Sequence, residues 1–304
     1  LRRQRQMCIR DRYSEKGFST KPEYRATDYY LMDGYNDSNY PDVTPERDGK
    51  RLIVQPNTFN MYCHREPRFY LTVVWNGQWF KWENRNTNFL YGQPDGGPTH
   101  DAPQNGYLNR SRVSLDYIPR DNNHPYRPAI IFRMAEAYLS YAEALNESSE
   151  RMSHKQEILD NLNKIRHRAG IAEYGTGTDE NGFTRIKINF SDQKEVRRLI
   201  HKERRVEFVG EGVRYHDLRR WKTAHYGIGN LNEQGENPDW GVNGPDYGMN
   251  YYGTEYTDQG DNAFFKRTKY MDRVYPRKFY WYPIHQSEID KDPTLVQGPF
   301  WLGE

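Results

Sequence analysis

The densest set of reactive side chains in the sequence is Glu203-Arg204-Arg205-Val206-Glu207-Phe208, continuing through Glu211-Gly212 to Arg214 and Asp217-Leu218-Arg219-Arg220-Trp221. On a helix Arg204 and Glu207 lie three apart, and Glu203 and Glu207 share a face four apart. Like charges at that spacing repel unless Arg side chains sit between them. Such a set can clamp an anion or a substrate. It can also form a structural ion network tying two successive helices, with Arg forks and stacking on Trp221. The network is the reading adopted here. Other chemical signatures are thin. There is no Gly-rich phosphate loop followed by Lys-Ser/Thr, no Gly-x-Ser-x-Gly elbow and no His-Glu-x-x-His zinc helix. His201, His216 and His225 lack a metal-ligand spacing. Gly175-Thr176-Gly177 has no strand-to-helix context and serves a turn. Neither a metal nor a cofactor is expected. The many carboxylates leave glycoside hydrolysis, which needs a pair about 5–9 Å apart, as an alternative.

Composition bounds the partners. The chain of 304 residues carries 44 Lys+Arg against 42 Asp+Glu, a net charge of +2, so it has no electrostatic footprint for nucleic acid or an anionic membrane. Its apolar runs fall far short of the roughly 20 residues that cross a bilayer, so no helix of this chain is expected to span one. Aliphatic residues are sparse, but 25 Tyr, 13 Phe and 7 Trp make 15% of the chain aromatic, which argues for a folded protein. Much of its apolar area then lies on rings that keep a polar handle. The length suffices for one large domain or two with a sizeable core.

The first dozen residues stand apart. They lack a start Met, an apolar signal region and a small-residue cleavage site. Met7-Cys8-Ile9-Arg10-Asp11 resembles the translation of a transposase adaptor used in sequencing libraries, so residues 1–12 read as an assembly artefact, with a genuine basic linker as the alternative. Without them five Arg and one Asp disappear, and the balance moves from +2 to about −2. Cys63 is then the lone cysteine, which makes an intramolecular disulfide impossible. A chain that begins inside a protein is also expected to have lost its targeting signal.

The elements that must position these groups follow from periodicity. Residues 13–127 read as loop-rich, with Leu71-Thr72-Val73-Val74-Trp75 as a strand entering an Asn76-Gly77 hairpin turn. Residues 128–304 read as the helical region. Ile131, Met134, Ala135, Tyr138, Ala142 and Leu145 keep helical spacing over residues 127–147, with Pro128 in the first turn. Ser153 is placed to cap a second helix whose stripe is Ile158, Leu162, Ile165 and Ala169, ended by Gly170. Residues 171–190 form a Gly/Thr-rich excursion with a possible hairpin. A third helix starts at Ser191 with Asp192 in its first turn, and a short fourth spans residues 213–223. The tail ends in an extended Tyr280-to-Ile284 segment. A strict repeat period is absent, and the fold class is mostly α, repeat-like, with long loops and a few short β-hairpins.

Several segments carry a resemblance. Arg133-Met-Ala-Glu-Ala-Tyr-Leu-Ser-Tyr-Ala-Glu143-Ala-Leu-Asn, Leu162-Asn-Lys-Ile-Arg-His-Arg-Ala-Gly170-Ile and the Glu203-to-Trp221 motif resemble the C-terminal half of the SusD/RagB family. Tyr282-Pro-Ile-His-Gln-Ser-Glu288-Ile, Asp292-Pro-Thr-Leu-Val-Gln297 and Arg65-Glu-Pro-Arg68-Phe-Tyr agree with it, in the right order, over roughly residues 20–301. One departure is Gln297-Gly-Pro-Phe-Trp301, where the family usually has Gln-Asn-Pro-Gly-Trp. The N-terminal half, which carries the family's lipobox Cys and first helical repeats, has no counterpart in this sequence.

The resemblance implies a tetratricopeptide-like α-α superhelix on the outer face of an outer membrane. Membrane attachment would run only through a lipidated N-terminus that this chain does not contain. It further implies non-catalytic binding of a glycan or other nutrient, as the lid of a SusC-like TonB-dependent barrel. A glycan presents C–H faces that suit flat rings and hydroxyl pairs that suit amides and Arg. The expected site is the loop with Trp79, Trp82 and Tyr91 as rings and Asn84, Arg85 and Asn88 as hydrogen-bonding partners. Trp75, Trp79 and Trp82 packed into the core are the alternative to that platform. Tyr247, Tyr251, Tyr252 and Tyr256 beside Trp240 form a second ring-rich stretch suited to an interface. A peptide-binding helical repeat remains the third functional reading.

Overall fold

The computed structural model describes residues 58–59, 62, 66–80, 83–109, 122, 126, 130–227 and 241–302. The fold is mostly α. Two short elements, α1 (Pro67–Thr72) and β1 (Val73–Val74), precede β2 (Trp79–Phe80), β3 (Arg85–Asn86) and β4 (Leu108–Asn109). The helices α2 (Met134–Glu147), α3 (Lys155–Arg168), α4 (Gln193–Glu207) and α5 (Val213–Arg220) follow. After them come β5 (Gly244–Gly248), β6 (Thr268–Arg273), a 3₁₀ turn at Arg277–Tyr280 and α6 (Gln286–Lys291). The strands form three two-stranded sheets, β1 with β4, β2 with β3, and β5 with β6. Contacts divide the chain into two compact units, Leu1–Glu211 with Tyr247–Thr268 and Gly212–Asp246 with Lys269–Glu304.

Helix α2 packs against α3 and α4. The stripe on α3 is as the periodicity predicts, with Ile158, Leu162, Ile165 and Ala169 buried. It ends in a Schellman motif. The Gly170 N–H donates to His167 O at 3.0 Å and the Ile171 N–H to Arg166 O at 3.2 Å, with Gly170 at a φ of 66° that costs glycine nothing. Helix α2 departs from the expected reading. It starts at Met134, because Arg133 is extended (φ −141°, ψ 154°). Its buried face is Ala135, Leu139, Ala142 and Asn146, whereas Ile131 is 97% exposed. Ser153 caps nothing and donates instead to Glu150 O at 2.8 Å, and Asp192 rather than Ser191 caps α4, accepting from the N–H groups of Lys194 and Glu195.

Of the expected strand at residues 71–75, Leu71-Thr72 end α1 and Val73–Val74 are extended; the Asn76-Gly77 turn forms, with the Gln78 N–H donating to Trp75 O at 3.3 Å, but it closes no hairpin. Pro67 fits the first turn of α1, and β1 pairs across to β4 (Val73 opposite Asn109) rather than through Asn76-Gly77. Asn76 is buried because its Oδ1 accepts the Phe89 N–H at 2.7 Å, cross-linking two loops. A ring-rich core sits here, built from Phe59, Tyr62, Phe69, Trp75, Tyr107, Phe264 and Phe265 with Val206 and Val209. The 171–190 excursion forms isolated bridges, Tyr174 with Ile186 and Thr178 with Thr184, rather than a hairpin. Asp179 holds it by accepting from the N–H groups of Glu173, Asn181 and Phe183.

In the second unit Leu218, Ala224 and Tyr275 form a small core with Trp221, Val242 and Tyr280. Gln297 clamps the tail: its Oε1 accepts the Ile284 N–H at 2.7 Å and its Nε2 donates to Ile284 O at 2.8 Å. Phe300, at the place where the family usually has Gly, takes a left-handed φ of 64°. That conformation is unfavourable for a side chain, and Phe300 is packed against Trp281 with ring centroids 5.7 Å apart.

Candidate functional site

The charged motif on α4 resolves into a buried network. Glu203 Oε1 accepts from Arg68 Nη1 at 2.6 Å and Oε2 from Arg166 Nη1 at 2.9 Å. Glu207 Oε2 lies 3.1 Å from Arg68 Nη1, and its Oε1 meets Arg133 and Arg168. Arg133 is bidentate on Glu211 at 2.9 and 2.8 Å, donates to Glu207 O at 2.9 Å and lies 4.6 Å from the Phe208 ring. Arg68 Nε donates to Glu66 at 2.7 Å, and the Arg166 guanidinium stacks 4.2 Å from the Tyr174 ring.

Thus Glu203, Glu207 and Glu211 tie α4 and the turn after it to α1, to α3 and to the residue before α2. Arg220 does stack on Trp221, at 5.1 Å, within the second unit. The extended start of α2 has its cause here, since Arg133 must reach two carboxylates. Arg68, Arg133 and Arg166 give their N–H groups to carboxylates and carbonyls of the fold itself, as a frame does rather than a clamp.

Burial alone would push the Glu203 and Glu207 carboxyls up, but Arg68 and the other facing guanidiniums outweigh it and hold both below the usual carboxylate range. A carboxylate depressed in the folded state contributes stability that is present above its unfolded pKa and is lost as pH falls through the folded value. Urea midpoints of the first unit are therefore expected to hold steady from neutral pH down to about pH 5 and to fall below about pH 4. A midpoint unchanged at pH 3 would show that the fold does not hold these carboxyls below their unfolded values.

A groove of about 930 Å³ runs between α3 and the 171–190 excursion. Several of its polar groups are engaged within the fold. Asn163 exchanges hydrogen bonds with the Tyr174 backbone at 2.9 and 2.8 Å, Arg185 and His167 hold Glu173, and Lys164 lies 4.6 Å from the Tyr138 ring.

The surface built on residues 83–99 and 247–254 is different. Asn250 fixes one side of it: its Nδ2 donates to Ala263 O at 3.1 Å and its Oδ1 accepts the Tyr252 N–H at 3.1 Å. Gly253 packs so closely that a Cβ would lie 2.4 Å from Phe264 Cα. The other side is the turn at residues 90–97, docked by the Tyr91 N–H on Gly253 O at 2.8 Å. A Cβ on Gly97 would meet the Tyr251 ring at 2.5 Å, so glycine here lets that ring lie over the turn. These constraints bring three rings together. Centroids are 5.5 Å apart for Tyr91–Tyr252, 6.0 Å for Tyr91–Tyr251 and 5.1 Å for Tyr251–Tyr252. Tyr252 is 69% exposed.

The expected site residues are distributed unevenly around this cluster. Tyr91 belongs to it. Asn84 is exposed and Asn88 half-buried, the latter in a 3.4 Å contact with Gln93. Trp79 is half-buried on the β2–β3 ladder opposite Asn86. Trp82 lies outside the described residues, as does Trp240. Trp75 is fully buried, as the core alternative has it. Arg85 is occupied by its own loop. Nε and Nη2 donate to Glu83, Nη2 and Nη1 to Asp95 at 2.8 and 2.6 Å, and Nη1 also to Asn86 O at 3.2 Å. Arg85 and the Asn88 N–H hold the Asp95 carboxyl below its ordinary value against the upward push of burial. Tyr251 and Tyr252, read from sequence as an interface stretch, gather with Tyr91; only chain folding signals that. Of their neighbours, Tyr256 accepts the Phe59 N–H at 3.0 Å and Tyr247 lies 4.0 Å from the Arg267 guanidinium.

Comparisons with known proteins agree on one relationship. A family model described as the SusD family matches residues 4–301. SusD-like protein P25 of Formosa agariphila is 32% identical over 109 residues, which is 36% of this chain and 18% of that protein. A solved SusD-like protein from Bacteroides fragilis is 25% identical with a TM-score of 0.58, covering 97% of this chain and 46% of that one. A second from the same species, described as a SusD-like carbohydrate binding protein, is 22% identical with a TM-score of 0.58, covering 94% of this chain and 47% of that one. The chain therefore spans about a fifth of the curated relative and just under half of the solved ones.

Proposed function

The chain belongs to the SusD family, and on that premise we propose that it is a non-catalytic binding protein for a glycan or other nutrient. It would act at the outer-membrane surface as the lid of a SusC-like TonB-dependent barrel. The observation that carries the binding role is the cluster of Tyr91, Tyr251 and Tyr252, with Asn84 and Asn88 on the chain segment that leads into Tyr91. Exposed ring faces accept the C–H faces of a sugar, while amides and phenols supply the donor–acceptor pairs that vicinal hydroxyls need. Both turns stand on a packed scaffold, which limits the ordering cost of binding. Similarity to a solved carbohydrate binding protein of the same fold supports the reading.

Affinity electrophoresis of the whole chain through gels containing polysaccharide tests it. Tyr252→Ala is expected to weaken the interaction by about tenfold or more, roughly 1.4 kcal/mol, with the melting temperature unchanged. Equal retardation of variant and wild type would overturn the site. New reducing ends, formed on incubation and lost on mutating one carboxylate pair, would favour a glycoside hydrolase instead.

A further inference from the structure

We propose that the tyrosine site is selective for uncharged, hydroxyl-rich glycans over uronate- or sulfate-bearing ones, because every Lys and Arg on its two segments is already engaged within the fold. This rests on the glycan-binding reading above and narrows its ligand class.

The argument is a donor inventory. An anionic sugar needs a guanidinium or ammonium with N–H groups to give. On residues 83–109 and 247–268 the Lys and Arg side chains are Arg85, Lys266 and Arg267. Arg85 has five N–H groups, and the five contacts to Glu83, Asp95 and Asn86 O use them all. Lys266 pairs with Asp261 at 2.7 Å. Arg267 covers the Tyr247 ring at 4.0 Å. The same two segments carry six carboxylates, namely Glu83, Asp95, Asp101, Glu255, Asp258 and Asp261, against those three cations. By that count the two segments offer an anionic polymer no surplus of positive charge. The exposed polar groups here are uncharged, namely the Tyr252 phenol and the Asn84 and Gln93 amides, beside the half-buried phenols of Tyr91 and Tyr251. Hydroxyls can give and take hydrogen bonds with all of them.

The test is affinity electrophoresis of the 304-residue chain in glycogen, laminarin, galactomannan and arabinoxylan, against alginate, polygalacturonate and chondroitin sulfate. Retardation is expected only in neutral gels. It should persist when salt is raised from about 50 to about 500 mM, because no ion pair to the ligand is screened, and it should drop about tenfold in Tyr252→Ala. Glu83→Ala, which releases Arg85 N–H groups, is expected to introduce retardation by alginate or chondroitin sulfate. Retardation of the wild type by an anionic polymer, lost in Tyr252→Ala, would overturn the selectivity while leaving the site intact. Retardation by a neutral glycan that is untouched by Tyr252→Ala would overturn the site and the selectivity with it. Failure of Glu83→Ala to gain anionic binding would remove pairing as the cause, and the proposal with it.

Discussion

Glu203→Ala is expected to destabilise the first unit by about 3–5 kcal/mol, the range for breaking a buried ion pair by removing one partner. Glu203 is 3% exposed and its two oxygens serve two arginines, one on α1 and one on α3. Removing the carboxylate leaves Arg166 with the Ala172 carbonyl and the Tyr174 ring as its remaining partners, at 5% exposure. A guanidinium so deprived keeps its desolvation cost and loses its counter-charge. Domains hold only about 5–15 kcal/mol of stability, so this substitution can prevent folding altogether. Glu203→Gln keeps the shape and tests the charge alone; its urea midpoint should fall in the same direction. The control is Glu147→Ala. Glu147 pairs with Arg197, but their side chains are 37% and 27% exposed, so less than about 1 kcal/mol is expected. Equal effects at Glu203 and Glu147 would show that burial does not set the difference.

Trp75→Ala is expected to cost about 3–5 kcal/mol, the usual range for truncating a large aromatic in a packed core. The indole is fully buried, stacked on Phe69 at 5.5 Å and tilted on Tyr62 at 5.8 Å. Its backbone carbonyl also accepts the Thr87 hydroxyl at 2.7 Å, so the residue joins the core to the loop that carries the candidate site. Trp79→Ala, four residues on and half-buried, should stay within about 1 kcal/mol of the parent. Denaturant melts of both variants separate the two indoles, and a melt of Trp75→Ala overlaying the parent would contradict the packing.

These variants mark where local reasoning reaches and where it stops. The stripe of α3 and its glycine stop are legible because helical neighbours are three and four residues apart, so a short window holds all the information. The start of α2 is not, because Arg133 answers to Glu207 at the end of a distant helix and to Glu211 just beyond it. The same holds for β1, whose partner is β4 rather than the next strand in sequence. At the candidate site, sequence put forward Trp79, Trp82, Asn84, Arg85, Asn88 and Tyr91, of which Tyr91 lies in the tyrosine cluster. It could not show that Arg85 is consumed by Glu83 and Asp95, since an Arg beside acids and amides reads the same whether its donors face a ligand or its own loop.

By itself, then, the sequence determined the family, the helical class, the aromatic character of the core and the absence of a phosphate or zinc motif. All of these are properties of residue type and short spacing. Tertiary structure alone decided which arginine answers Glu203, which tryptophan is sealed and which tyrosines gather at the surface. Arg68 lies 135 residues from Glu203, and Tyr91 meets Tyr251 and Tyr252 only where two distant turns dock. Burial and charge pairing depend on proximity in space, which the chain acquires only when its segments pack together.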